Sequence, residues 1–140
     1  MNIAAPASPE AAATSGRTLL YIDDDPANTF LMGLIVARRP EMTFLAASAG
    51  IPGIVMAQKH LPNLVLLDFH LPDMNGDQVL TQLRGDPLTA DIPVVILSGD
   101  ATPVQAKRML ALGACRYITK PFNVGALLDS VEAILSATAC

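Results

Sequence analysis

Asn63-Leu64-Val65-Leu66-Leu67-Asp68-Phe69-His70-Leu71-Pro72-Asp73-Met74-Asn75-Gly76 is an unbroken aliphatic run that stops at a carboxylate and passes into a turn. A continuous apolar run, as opposed to an alternating one, is what a strand buried on both faces requires. Asn75-Gly76 signals a turn, and the segment Asp77–Arg84 beyond it has helical spacing. Taken alone, Asp68 would read as a helix or loop cap. Yet a charge placed directly after a buried strand needs a partner or a role.

Working outward, similar short apolar runs occur at Thr18–Ile22, Thr43–Ala46, Pro93–Leu97 and Cys115–Ile118. Segments with helical spacing lie between and after them. The first should begin near Pro26, where proline suits the opening turn, and run to about Arg39, before Pro40. Its apolar positions Phe30, Leu31, Leu34 and Ile35 fall at helical spacing. The others are Ile51–His60, Pro103–Leu112 and Val124–Ala137. Thr102 and Asn123 are the expected N-caps of the last two, and Gly113 closes the helix that Thr102 opens. Strands alternating with helices in this way predict a (βα)5 sandwich built on a parallel sheet. Short connections fit right-handed crossovers. Such sheets bind ligands beyond the carboxyl ends of their strands.

Composition supports that frame. The chain has 140 residues, enough for one domain with a sizeable core. It is 51% hydrophobic but only 4% aromatic, so the core must be aliphatic. Residues 1–16 are mostly Ala, Pro, Ser and Thr and are expected to be a flexible tail or linker, which leaves 17–138 as the domain. The net charge of -4 and the scatter of Lys and Arg, apart from Arg38-Arg39 and Lys107-Arg108, predict no direct nucleic-acid binding. Cys115 and Cys140 show neither metal-ligand spacing nor a disulfide framework. With no transmembrane run and no secretion signal, the expected location is the cytoplasm.

The polar residues of interest all stand at strand ends. Asp23-Asp24-Asp25 follow the first strand, Asp68 the third, Ser98 the fourth and Lys120-Pro121 the fifth. Carboxylates gathered at one edge repel each other, and a divalent cation relieves that repulsion. Oxygen ligands without a His or Cys cluster favour Mg2+, with Mn2+ as the alternative. Asp25 reads as a solvated turn residue, and Asp73 and Asp77 as turn and cap residues. A carboxylate can serve as a phosphoryl-accepting nucleophile. A cation, a lysine and a hydroxyl around it suffice for phosphoryl transfer, which rests on positioning and electrostatics.

Four segments carry a family resemblance: Leu20-Tyr21-Ile22-Asp23-Asp24-Asp25-Pro26, Leu67-Asp68 through Leu71-Pro72-Asp73-Met74-Asn75-Gly76, Ile96-Leu97-Ser98-Gly99, and Thr119-Lys120-Pro121-Phe122. Together they resemble the receiver domains of two-component response regulators, over nearly the whole chain after residue 17. The resemblance implies a flavodoxin-like sheet in order 2-1-3-4-5, the order that the chemotaxis receiver exemplifies. It implies Asp68 as phosphoacceptor, Asp24 as direct metal ligand, Asp23 acting partly through water, and the His70 carbonyl as the remaining protein ligand. Ser98 and Tyr117 would be the switch pair, Lys120 the phosphate-binding lysine, and Lys120-Pro121 a cis bond. The implied donor is a sensor histidine kinase or histidine phosphotransfer protein. The implied output is a change on the surface of the fourth helix, fifth strand and fifth helix, through which a homodimer could form. Self-phosphorylation and self-dephosphorylation would be its only activities. The chain could be a stand-alone receiver or that of a hybrid histidine kinase.

Other readings fit less well. An adaptor that never carries phosphate would have lost Asp24, Asp68 or Lys120. A dehalogenase-type phosphohydrolase usually has a second Asp two residues after its nucleophile, where His70 stands. A dinucleotide-binding fold needs a glycine-rich loop after the first strand, and none is there.

Overall fold

The computed structural model describes residues 16–137. The expected tail at residues 1–16 therefore falls almost wholly outside the described residues. Strands β1 (Arg17–Ile22), β2 (Met42–Ala47), β3 (Leu64–Asp68), β4 (Val94–Ser98) and β5 (Arg116–Thr119) alternate with helices α1 (Pro26–Val36), α2 (Gly50–His60), α3 (Gly76–Gly85), α4 (Pro103–Ala111) and α5 (Val124–Ala137). All strand pairs are parallel, and the sheet order is β2-β1-β3-β4-β5. This is the (βα)5 flavodoxin-like sandwich.

The apolar runs split by parity, because successive side chains of a strand point to opposite faces. Leu20, Ile22, Val65, Leu67, Val94 and Ile96 face a core shared with α2, α3 and α4. Leu19, Tyr21, Leu64, Leu66, Val95 and Leu97 face a second core shared with α1 and α5. Both layers need apolar residues, which is why the central strands show no polar alternation.

Helix α1 departs from expectation at its far end and in its buried face. It stops at Val36, not Arg39. Pro40 disfavours helical geometry at Arg39, and the last turn closes through Arg38 N–H to the Ile35 carbonyl and Arg39 N–H to the Val36 carbonyl. The core side is Met32 and Val36, while Phe30, Leu31 and Leu34 are exposed at 70%, 53% and 53%. The helix is apolar nearly all round, so periodicity alone does not select the face that docks. Cys115 also differs from expectation: it is disulfide-bonded.

Two side chains fasten the loops around the sheet. Arg84 on α3 donates to the carbonyls of Gly113, Ala90 and Ile92. Gly113 is in left-handed backbone at φ 112°, and a Cβ there would fall 2.8 Å from the Arg84 Nε. Helix α2 has Ala49 at its N-cap, with no side-chain bond of its own. Asp73, in the β3–α3 loop, supplies the bonds instead, accepting from Gly50 N–H at 2.7 Å and Ile51 N–H at 2.8 Å. Gly50 leaves room for Met74, whose Cγ would lie 2.5 Å from any Cβ. No described helix is long and apolar enough to cross a membrane.

The Ile51 and Gly50 N–H groups hold the Asp73 carboxyl below its ordinary pKa. A depressed carboxyl contributes stability above its unfolded pKa and loses it as pH falls through the folded value. Asp73→Ala should therefore lower the thermal midpoint at pH 7. The deficit should shrink on acidification below the ordinary carboxylate range, as melts followed by circular dichroism across that range would report.

Candidate functional site

Register brings the acidic residues together. Ile22 pairs with Leu67 at the carboxyl end of β1 and β3, so Asp23 and Asp68 each stand one step beyond that pair. Asp68 in turn lies beside Leu97, with Ser98 next along β4, and Ser98 pairs with Thr119, just before Lys120. One carboxylate oxygen from each of Asp23, Asp24 and Asp68 lies within 4.8 Å of the other two. Asp23 and Asp68 are buried and Asp24 is exposed. An all-oxygen set of this kind is capable of holding a hard divalent cation such as Mg2+ or Mn2+.

Each carboxylate is held differently. Asp68 accepts from the Lys120 ammonium at Oδ1, 2.8 Å away. Asp23 accepts from the Tyr21 hydroxyl and the Asn28 amide at Oδ2, and from the Asp25 N–H at Oδ1. Tyr21 reaches it because residues two apart on a strand share a face. Asp25, read from sequence as a solvated turn residue, also caps α1 by accepting from Ala27 N–H. Lys120 leads into a cis peptide bond with Pro121.

Burial pushes the Asp68 carboxyl above its ordinary pKa; the Lys120 bond and charge oppose that, and Asp23 and Asp24 add to it. The net direction is up, so burial and like charge outweigh the lysine. The Tyr21 hydroxyl is raised as well, first by burial and then by its bond to Asp23.

Ser98 and Tyr117 meet at one residue of the β4–α4 loop. The buried Ser98 Oγ accepts from Asp100 N–H at 3.1 Å, and the Tyr117 hydroxyl donates to the Asp100 carbonyl. The Asp100 carboxyl is lowered, chiefly by the Thr102 N–H, then by the Thr102 side chain, with a smaller contribution from His70. The His70 side chain is exposed and meets the Phe69 ring edge-on, with centroids 5.1 Å apart. It takes no part in the carboxylate cluster. Asp77 ion-pairs with Arg108 of α4. Tyr21 and Asn28 were not singled out for the site by sequence. Their signal, a hydroxyl two residues before Asp23 and an amide five after it, has meaning only once β1 and α1 are placed.

A raised Asp68 makes the folded state bind a proton more readily than the unfolded state. Its contribution to stability is then full below the unfolded pKa and is lost as pH rises through the folded value. In chelator, Asp68→Asn should raise the thermal midpoint at pH 7, and this gain should fade as pH drops below the ordinary carboxylate range. Calorimetry of both proteins at matched pH values checks the sign.

Comparison with known proteins agrees with this geometry. The family model described as the response regulator receiver domain matches residues 19–132. The dual master transcriptional regulator RpaA of Synechocystis is 37% identical over 86% of this chain, which spans 49% of that protein. The chain thus covers about half the length of that relative. Protein PilH of Pseudomonas aeruginosa is 31% identical over 84% of this chain and is matched over 97% of its own length. Among solved structures, the Mn2+-bound form of the response regulator Rcp1 superposes with a TM-score of 0.71 at 25% identity, covering 86% of this chain and 92% of that one. With its strand order, its acidic triad and a family match over most of its length, the chain belongs to the response regulator receiver domain family.

Proposed function

We propose that this protein accepts a phosphoryl group on Asp68 from a phosphohistidine donor and converts that event into a change of its α4-β5-α5 surface. The observation that carries the reading is Asp68 itself, a buried carboxylate with an ammonium on one side and two more carboxylates within 4.8 Å. Lys120 holds Oδ1, which leaves Oδ2 to bond to phosphorus. As that oxygen–phosphorus bond forms, the donor's phosphorus–nitrogen bond breaks and the imidazole leaves with its electron pair.

Bound Mg2+ or Mn2+ would draw charge from the phosphoryl oxygens and from the acidic cluster. Asp24 and Asp68, Asp23 partly through water, and the His70 carbonyl are the protein groups that would hold it. Lys120 and Ser98 would bind oxygens of the transferred group. For Ser98 this means turning away from the Asp100 N–H, and Tyr117, bound to the carbonyl of the same residue, would respond. Small phosphodonors would serve in place of a protein, and water would later release the phosphate, so turnover is limited to self-phosphorylation and self-dephosphorylation. Asp68→Asn should abolish the gain of one phosphate that acetyl phosphate with Mg2+ gives the wild type, read by intact mass. Labelling of the variant at the wild-type level would overturn the assignment.

The donor reading, a cytoplasmic histidine kinase or histidine phosphotransfer protein, is supported by α1. That helix starts two residues after Asp24 and exposes Phe30, Leu31 and Leu34. A protein delivering a phosphohistidine to Asp68 must rest near this helix, and three adjoining apolar side chains suit an apolar partner surface. Leu34→Asp should slow transfer from a phosphorylated histidine phosphotransfer protein by at least about tenfold and leave labelling by acetyl phosphate unchanged. Equal loss with both donors would place Leu34 in the fold and not in docking.

A further inference from the structure

Asp23 is the most completely hydrogen-bonded of the three clustered carboxylates. Its Oδ2 accepts from the Tyr21 hydroxyl at 2.6 Å and from the Asn28 amide at 3.1 Å, and its Oδ1 accepts from the Asp25 N–H at 2.9 Å. A carboxylate oxygen has about two lone-pair sites. Both sites of Oδ2 are therefore taken by protein donors, whereas Oδ1 keeps one. Tyr21 cannot easily turn away, since it is 2% exposed in the core shared with α1 and α5, beside Phe44. Asn28 reaches the same oxygen from the first turn of α1.

We propose that Tyr21 and Asn28 are positioning residues that fix Oδ2 of Asp23 and leave the free lone pair of Oδ1 as its single outlet toward a divalent cation. The proposal rests on the metal-binding role read above for the acidic cluster. It makes Asp23 a one-oxygen contributor, direct or through water, and forbids a two-oxygen grip. The buried phenol of β1 thereby sets the rotation of the carboxylate beyond it. Partners that orient metal-binding groups in this way typically contribute about tenfold or more to metal affinity.

The chain contains two tyrosines and no tryptophan, so a phenol signal is not masked. Mn2+ should be titrated into wild type, Tyr21→Phe, Asn28→Ala and Asp24→Asn, with free Mn2+ read by electron paramagnetic resonance. Tyr21→Phe and Asn28→Ala should each weaken binding by about tenfold. Mg2+ should produce a near-ultraviolet tyrosine difference spectrum in wild type and in Tyr117→Phe, but not in Tyr21→Phe. Since Asn28 is exposed, its variant reports even if Tyr21→Phe fails to fold. Affinities of the two positioning variants within about twofold of wild type, with Asp24→Asn impaired, would overturn this inference and leave the metal site standing. If wild type binds no Mn2+, or Asp24→Asn binds as wild type does, the metal reading fails and this inference with it.

Discussion

Three carboxylates share one strand edge with one ammonium. The Lys120–Asp68 ion pair relieves part of that excess, while burial first, and the charges of Asp23 and Asp24 after it, hold the Asp68 carboxyl above its ordinary pKa. Everything else at the carboxyl end of the sheet works around this imbalance. Neutral donors from Tyr21, Asn28 and the Asp25 backbone quiet Asp23, while Asp24 is left facing solvent. Such an arrangement stays folded because the aliphatic layers beneath it are closed: β3 and β4 are buried along their whole length. The site is thus destabilised on its own, and a bound divalent cation would make it more favourable by supplying the positive charge that the protein lacks.

Rigid and adjustable parts of this end are separated. The β3–α3 loop is held from several sides: Asp73 on the start of α2, Gly76 N–H on the Phe69 carbonyl, and a reciprocal Asn75–Gln78 box on α3. The β4–α4 loop is held more lightly near the site, through the two contacts of Asp100 with Ser98 and Tyr117. Its exposed residues lead into α4, whose buried residue is Met109. A receiver needs an acceptor that keeps its place and a neighbouring loop with a second arrangement within reach. The hydrogen bonds are distributed to suit that division.

Much of this was legible in the sequence, for a physical reason. Strands buried on both faces leave continuous apolar runs, and a parallel sheet then forces Asp23, Asp24, Asp68, Ser98 and Lys120 to one edge without further information. What escaped depends on the third dimension. Asp73 was recognisable as a cap, but the helix that it caps begins more than twenty residues earlier in the chain. Arg84 looks like any helix-end arginine until the carbonyls of Ala90, Ile92 and Gly113 surround it. Phe30, Leu31 and Leu34 have helical spacing, but so do Met32 and Val36, and only packing against the sheet chooses between the two stripes. Cys115 offered no spacing from which a disulfide could be read.

The same imbalance gives direction to the proposed switch. Phosphorylation replaces the single charge of Asp68 with a group carrying about two negative charges and about three acceptor oxygens. The edge that was already short of positive charge becomes shorter still, so donors within reach gain more from turning toward it. Lys120 is already there. Ser98 is the nearest neutral donor in register, and its oxygen now holds the Asp100 N–H. Drawing the Ser98 hydroxyl to the phosphate would weaken that hold at one end of Asp100, while Tyr117 grips the carbonyl at the other. In the proposed switch a change of charge at Asp68 would become a change of backbone at Asp100, and Tyr117, half-buried against the α2-α3-α4 core, would carry it to the surface. On this proposal the direction of signalling would follow from where charge is lacking, without any long-range wire through the protein.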